Sequence, residues 1–103
     1  MELSFRHSGE ELTFFLCGEL DEYAASKLRH LADATVAEHS FVSRVTFDLS
    51  QVGFMDSTGI GFLIGRYKQC KRYAIPAYIR NPNFSADKIL SISGVYALLP
   101  KIS

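Results

Sequence analysis

Asp56, Ser57 and Thr58 form the segment of this sequence best placed to do chemistry, because they lie at the predicted start of a helix. The preceding strand is predicted at residues 45–50, and the chain then turns tightly at residues 54–56. Backbone N–H groups in the first turn of a helix have no partner within the helix, so this position favours oxygen atoms and anions. One of the three side chains could simply cap the helix, which is worth about 1 kcal/mol. Alternatively, a hydroxyl group here could carry a phosphate.

Phosphorylation of a hydroxyl group at this helix start would act through charge rather than through unfolding. A phosphate adds about −1.5 to −2 charges, here beside Asp56 and on a chain that is otherwise neutral. A partner docked closely on this helix end would then meet an unpaired, desolvated negative charge, which can cost several kcal/mol. A single modification could therefore convert tight binding into weak binding.

Gly59, Gly61 and Gly65 all fall inside the helix predicted after Ser57. Each glycine in a helix interior costs about 0.8–1 kcal/mol relative to alanine. The sequence therefore predicts that a surface, either the sheet or a partner protein, approaches this helix backbone closely. The glycine spacing matches neither the Walker phosphate-binding loop nor the dinucleotide-binding fingerprint.

Enzyme chemistry is disfavoured by the residues around Ser57. A nucleophilic serine needs a positioned base, and no spacing directs His7, His30 or His39 to Ser57. The G-x-S-x-G nucleophile motif is also missing from this segment.

The sequence gives equally little support for other catalytic or metal-binding sites. Asp48 and Asp56 could be imagined as an acid–base pair of carboxylates, but a strand residue and a turn residue are the simpler interpretation. Cys17 and Cys70 are too few and too scattered for a metal site or a disulfide framework. We therefore expect a protein that is not an enzyme, with no catalytic residue, no metal and no cofactor.

The elements that must position Ser57 are predicted from periodicity and capping residues. Strands are expected at residues 3–7 and 11–18, and a helix from Asp21 or Glu22 to His39 with one apolar face. That face is predicted to comprise Ala24, Leu28, Leu31 and Ala32. After strand 45–50, a turn at residues 51–53 leads towards the second helix, which ends near Arg72.

The C-terminal third predicts one further helix between two strands. A strand is expected at residues 76–80, followed by a helix capped by Ser85, with Phe84 and Ile89 as a hydrophobic staple. Gly94 is expected to end this helix, and residues 96–99 to form an edge strand. The order β-β-α-β-α-β-α-β predicts an α/β fold with a mixed sheet of four to five strands and helices packed on it.

Length and charge narrow the function classes further. The 103 residues predict one domain over residues 1–103. Eleven basic and eleven acidic residues cancel, so the chain lacks the charge expected of a nucleic-acid-binding protein. No apolar run approaches the roughly 18 residues that span a membrane, and the N-terminus does not resemble a signal peptide. Residence in the cytoplasm is therefore expected.

Three segments resemble the anti-sigma-factor antagonists, the bacterial members of the STAS domain family. FMDSTGIGFLIGRYKQCK at residues 54–71 is similar to the family signature, and GELDEYAASKL at residues 18–28 resembles its second marker. SGVYALLP at residues 93–100 is similar to the family's C-terminal segment. The segments occur in the family's order, and the continuation GRYKQCK most resembles the sporulation antagonist of endospore-forming bacteria. The family usually continues past its last strand into another helix, for which the residues after Pro100 offer little length.

The resemblance implies a partner-switching function for this chain. Ser57 would be the phosphorylated residue, and the unphosphorylated form would bind an anti-sigma factor that is also a serine kinase, releasing a sigma factor. Phosphorylation by that kinase would end binding, and a PP2C-type phosphatase would restore the antagonist. Partner-binding residues would be Asp21, Asp56, Ser57, Thr58, Gly59 and Ile60.

Two alternatives within the family remain open. The chain could be a general-stress antagonist, or a STAS binding module without a phosphorylation cycle, such as a transporter domain or a stressosome component. The sequence contains no apolar segment typical of a transporter and no long additional domain, which disfavours the second alternative.

Overall fold

A computed structural model describes residues 2–103 and confirms the predicted α/β order. The predicted domain range, 1–103, includes Met1, which lies outside the described residues. The strands are β1 (Glu2–Ser8), β2 (Glu11–Leu20), β3 (Arg44–Met55), β4 (Ala77–Arg80) and β5 (Lys101–Ile102). The helices are α1 (Glu22–Glu38), α2 (Ser57–Arg72) and α3 (Phe84–Ser93), followed by a 3₁₀ helix at Val95–Ala97.

The sheet is mixed and has the strand order β1-β2-β3-β4-β5. β1 is antiparallel to β2, whereas β2, β3, β4 and β5 pair in parallel. Parallel crossovers are nearly always right-handed, and all three crossovers here advance in the same direction. The three helices therefore cover one face of the sheet.

The hydrophobic core lies between that face and the helices. Phe14, Phe47 and Ile79 are in register on three neighbouring strands and have no exposed surface. The rings of Phe14 and Phe47 stack with centroids 5.3 Å apart. All three helices contribute to the same cluster of buried residues, so each helix is held against the sheet by burial.

The predicted turn at residues 51–53 is wrong, because β3 continues to Met55. Two irregularities in the pairing with β2 let the strand follow its neighbour to Leu20. Val52 and Met55 remain buried, so burial on the helix-covered face explains why the strand extends. The extension brings the chain to Ser57 directly from a strand.

The C-terminal third also differs from the prediction. Asn83, not Ser85, caps α3, since its side chain accepts a hydrogen bond from the Ala86 N–H at 2.8 Å. Phe84 is 86% exposed and forms no staple. Residues 95–97 form a 3₁₀ helix rather than an edge strand, because the chain continues to turn after Gly94, which ends α3 in a left-handed conformation as expected. In α1, Leu31 is exposed, and Val36 rather than Leu31 extends the buried face.

Close packing within this chain explains why residue 59 is a glycine. A Cβ atom at Gly59 would lie 2.6 Å from Met55 Cγ and 3.0 Å from the Leu20 carbonyl oxygen. A Cβ atom at Gly61 would meet nothing within 4 Å. Close approach of the sheet therefore explains the first glycine of α2 but not the second.

The two glycines predict opposite effects of alanine on stability. Gly59→Ala should lower the free energy of unfolding by about 1–3 kcal/mol, the usual cost of overpacking a core. Gly61→Ala, the matched control, should raise the free energy of unfolding by up to about 1 kcal/mol, because alanine is the better helix former. Urea denaturation of both variants measures the difference, and equal effects would contradict the packing role of Gly59.

Candidate functional site

Asp21 and Asp56 are brought together by the parallel pairing of β2 and β3. Leu20 and Met55, the last residues of the two strands, are register partners. The next residue on each chain is an aspartate that caps the following helix. Both aspartates line one shallow depression at this edge of the sheet. Asp21 therefore lies beside the segment that contains Ser57.

Both aspartates cap their helices through Oδ1, and Asp56 accepts one more hydrogen bond than Asp21. Asp21 Oδ1 accepts a hydrogen bond from the Ala24 N–H at 3.0 Å. Asp56 Oδ1 accepts from the Thr58 N–H at 2.9 Å and from the Gly59 N–H at 3.3 Å. Two helix N-termini with two carboxylates thus lie side by side, and each carboxylate is stabilised by the dipole of its helix.

Ser57 is the first residue of α2 and is exposed. Because Asp56 is the cap, the Ser57 hydroxyl is not needed to hold the helix end. No side-chain hydrogen bond of Ser57 is present within residues 2–103. The two open interpretations of the segment are therefore compatible: the aspartate caps the helix, and the serine next to it is accessible.

The cap also determines where a phosphate on Ser57 could go. Asp56 already occupies the N–H groups of Thr58 and Gly59, which would otherwise be free to bind an anion. A phosphate on Ser57 would have to displace this carboxylate or remain facing solvent. In the second arrangement its charge adds to that of Asp56 and is available to repel a docked protein.

The remaining predicted site residues differ in exposure. Thr58 is half-buried beside Ser57. Gly59 is buried against Leu20 and Met55. The Ile60 side chain is only 9% exposed and belongs to the hydrophobic core. The structure thus places Ile60 beneath the surface that carries Ser57, where it supports the helix instead of presenting a side chain to solvent.

Asp48 is remote from Ser57 and does not pair with Asp56. Asp48 lies on β3, eight residues before Asp56, and eight residues of extended chain span roughly 25 Å. Burial alone would raise the pKa of the Asp48 carboxyl, but hydrogen bonds from Ser50, Arg80 and Asn81 outweigh it and hold the pKa below its ordinary value. Asp48 is accordingly an ion-paired residue of the sheet face without helices.

The histidines considered as possible bases lie away from Ser57. His39 caps the C-terminal end of α1, opposite to the end where Asp21 lies, and its ring is 5.5 Å from that of His7. His30 is exposed in the middle region of α1. Across residues 2–103 there is no group of three or more His, Cys, Asp or Glu side chains that could hold a metal ion.

A groove between α1 and α2 was not predicted from the sequence. It begins next to Ser57, where Glu22 and Thr58 line it, and it also contains Arg29 and Arg66. The available signal was the four-residue spacing of Gly61 and Gly65, which places both on one face of α2. What the sequence could not show is that α1 lies opposite that face.

The fold and this strand-end site define a class of protein. The sheet is mixed and has helices on one face. At one strand end, an exposed serine is the first residue of a helix and directly follows the aspartate that caps this helix. The STAS domain model matches residues 2–103, and the chain belongs to the STAS domain family. None of the helices in the described part of the chain is both long and apolar enough to cross a membrane.

Curated relatives and solved structures agree with this membership. The chain is 25% identical over 100 residues to an anti-sigma F factor antagonist of Paenibacillus polymyxa, covering 97% of this chain and 85% of that protein. It is 32% identical over 63 residues to an anti-sigma-B factor antagonist of Listeria monocytogenes, covering 61% of this chain and 54% of that protein. The fold matches unphosphorylated SpoIIAA, an anti-sigma factor antagonist, with a TM-score of 0.81 at 22% identity, over 99% of this chain and 89% of that one.

Substitutions of Asp56 should separate its capping role from its charge. Asp56→Ala should lower the free energy of unfolding by about 1 kcal/mol, because the Thr58 and Gly59 N–H groups lose their acceptor. Asp56→Asn should keep most of the stability, since asparagine caps helices about as well as aspartate. Chemical denaturation monitored by circular dichroism checks both values; a loss with asparagine as large as with alanine would show that charge, not capping, dominates.

Proposed function

We propose that this protein is an anti-sigma-factor antagonist that works by partner switching. The unphosphorylated form binds an anti-sigma factor that is also a serine kinase, and a sigma factor is released. The kinase then transfers the γ-phosphoryl group of ATP to Ser57 Oγ, with loss of the hydroxyl proton and formation of ADP, and binding ends. A PP2C-type phosphatase hydrolyses the phosphate ester and regenerates the antagonist.

The exposed Ser57 hydroxyl beside the Asp56 cap is the observation that carries this proposal. A kinase needs an accessible hydroxyl, and Ser57 is exposed on the first turn of α2. Asp21 and Asp56 border the same depression, and we assign them to the docking surface together with Ser57 and Thr58. Gly59 and Ile60 contribute by fixing the helix against the core.

A pathway of the sporulation type is the first choice for this chain. The relatives named anti-sigma F factor antagonist align over most of it: 97% for the Paenibacillus polymyxa protein and 84% for that of Lysinibacillus sphaericus. A general-stress pathway is the second candidate, because the Listeria monocytogenes relative is more identical over a shorter alignment. Binding of the purified chain to anti-sigma factors of the two types distinguishes the candidates.

Ser57 substitutions test the switch directly. Ser57→Ala should bind the cognate anti-sigma factor even with ATP present, because no phosphate can be added. Ser57→Asp should bind at least tenfold more weakly, because it places a negative charge in the interface. Isothermal titration calorimetry measures the affinities, and mass spectrometry after incubation with ATP locates the phosphate.

Ser85→Asp is the matched control for the added charge. Ser85 is also exposed in the first turn of a helix, α3, but it lies outside the proposed docking surface. This control should bind like the wild type. A phosphate found on Thr58 instead of Ser57, or wild-type affinity in Ser57→Asp, would contradict the proposed mechanism.

A further inference from the structure

An open groove of about 490 Å³ runs between α1 and α2. We call it the α1/α2 groove, and the residues used here to define it are Ala25, Arg29, Gly61, Phe62, Gly65 and Arg66. One end of the groove reaches Thr58, so it is continuous with the surface that presents Ser57. The groove is nevertheless separate from the Asp21–Asp56 depression, which has different lining residues apart from Glu22 and Ser26.

Gly61 and Gly65 line the groove, and no contact within this chain requires a glycine at either position. A Cβ atom at either position would meet nothing within 4 Å, in contrast to Gly59. Two helical glycines each destabilise the helix relative to alanine, yet no neighbouring backbone or side chain requires them. Because Gly61 and Gly65 have no side chains, another molecule has room to approach the α2 backbone.

Arg66 supplies a buried positive charge on the groove wall. The residue is only 5% exposed, and its guanidinium lies over the Phe62 ring, 4.9 Å from the centroid. Its Nε lies 2.7 Å from Asp33 Oδ1, so the two side chains form an ion pair. Asp33 therefore offsets part of the positive charge that Arg66 brings to the groove wall.

Arg29 adds a second positive charge from the opposite wall. The pKa of Arg66 lies below its ordinary value, mainly because the side chain is buried, although Asp33 raises it. The positive charge of Arg29 also lowers this pKa, so the two guanidinium groups are close enough to repel each other. Arg29 itself is exposed and forms no ion pair within the described part of the chain. The groove also contains one acidic side chain, Glu22, which lies at the end near Thr58. At the opposite end Asp33 pairs with Arg66 and offsets one of the two positive charges, and the charge of Arg29 remains.

We infer that the α1/α2 groove receives a segment of the partner anti-sigma factor, and that an acidic side chain of this segment pairs with Arg29, beside the buried Arg66. The inference rests on the proposed function, because it names the occupant as part of the same partner. Continuity with the Ser57 surface favours a protein segment over a small ligand. The positive end of the groove specifies a carboxylate. The glycines allow the segment to lie against the helix backbone.

Charge variants of Arg29 test the acidic contact. Titration of the purified full chain with the cognate anti-sigma factor should show at least tenfold weaker binding for Arg29→Glu and near wild-type binding for Arg29→Lys. Lys27→Glu is the matched control, because Lys27 is exposed on α1 but does not line the groove. It should bind within about threefold of the wild type.

A groove-filling variant tests the close approach independently. Gly61→Leu should fold at least as stably as the wild type, because leucine is a better helix former than glycine and a Cβ atom at this position meets nothing within 4 Å. It should bind at least tenfold more weakly, whereas Lys68→Leu, an exposed position on α2 outside the groove, should not. Thermal unfolding by circular dichroism verifies that each variant is folded.

The outcomes separate this inference from the proposed function. Weak binding of both Arg29→Glu and Gly61→Leu, with normal controls, supports the groove contact. Wild-type affinity in both variants overturns the groove contact and leaves the antagonist function intact. Failure of the wild-type chain to bind any anti-sigma factor overturns the proposed function and, with it, the assigned occupant. Equal weakening by Lys27→Glu would overturn the specific role of Arg29.

Discussion

The parallel pairing of β2 with β3 up to Leu20 and Met55 is the constraint on which the site depends. Neighbouring strands lie about 4.8 Å apart, so two chains that leave the sheet in register start their helices side by side. Here each chain leaves through an aspartate that caps its helix. The relative position of Asp21 and Ser57 thus follows from strand register and helix capping, and it does not depend on a flexible loop.

This arrangement explains how a small chemical change could have a large effect on binding. The carboxylates of Asp21 and Asp56 are stabilised by helix N-termini, and Asp56 has already taken the N–H groups nearest to Ser57. A phosphate there would have little unused stabilisation available within the fold. Its charge would therefore be felt mainly by whatever protein lies against this surface, while the buried core beneath, including Ile60, would be unaffected.

The sequence was informative where the structure is determined locally, and less so where it depends on distant contacts. The start of α2 at Ser57 and its end at Arg72 followed from capping and charge in a short segment. The continuation of β3 through residues 51–55 was missed, because it depends on pairing with β2 more than thirty residues away. The last strand was misplaced for a related reason: β5 has only two residues, Lys101 and Ile102, and its identity depends on pairing with β4.

The glycines of α2 show the same division at a finer scale. Each glycine destabilises the helix relative to alanine, and this predicts a close neighbour for all of them. The sequence alone does not show whether that neighbour belongs to this chain. The structure gives Gly59 a neighbour in the sheet and gives Gly61 and Gly65 none. The latter two face a groove bordered by α1, and the proposed partner segment would explain them. A helix that is packed tightly at its first turn and left open at the next two is suited to hold Ser57 firmly while a partner protein approaches its backbone.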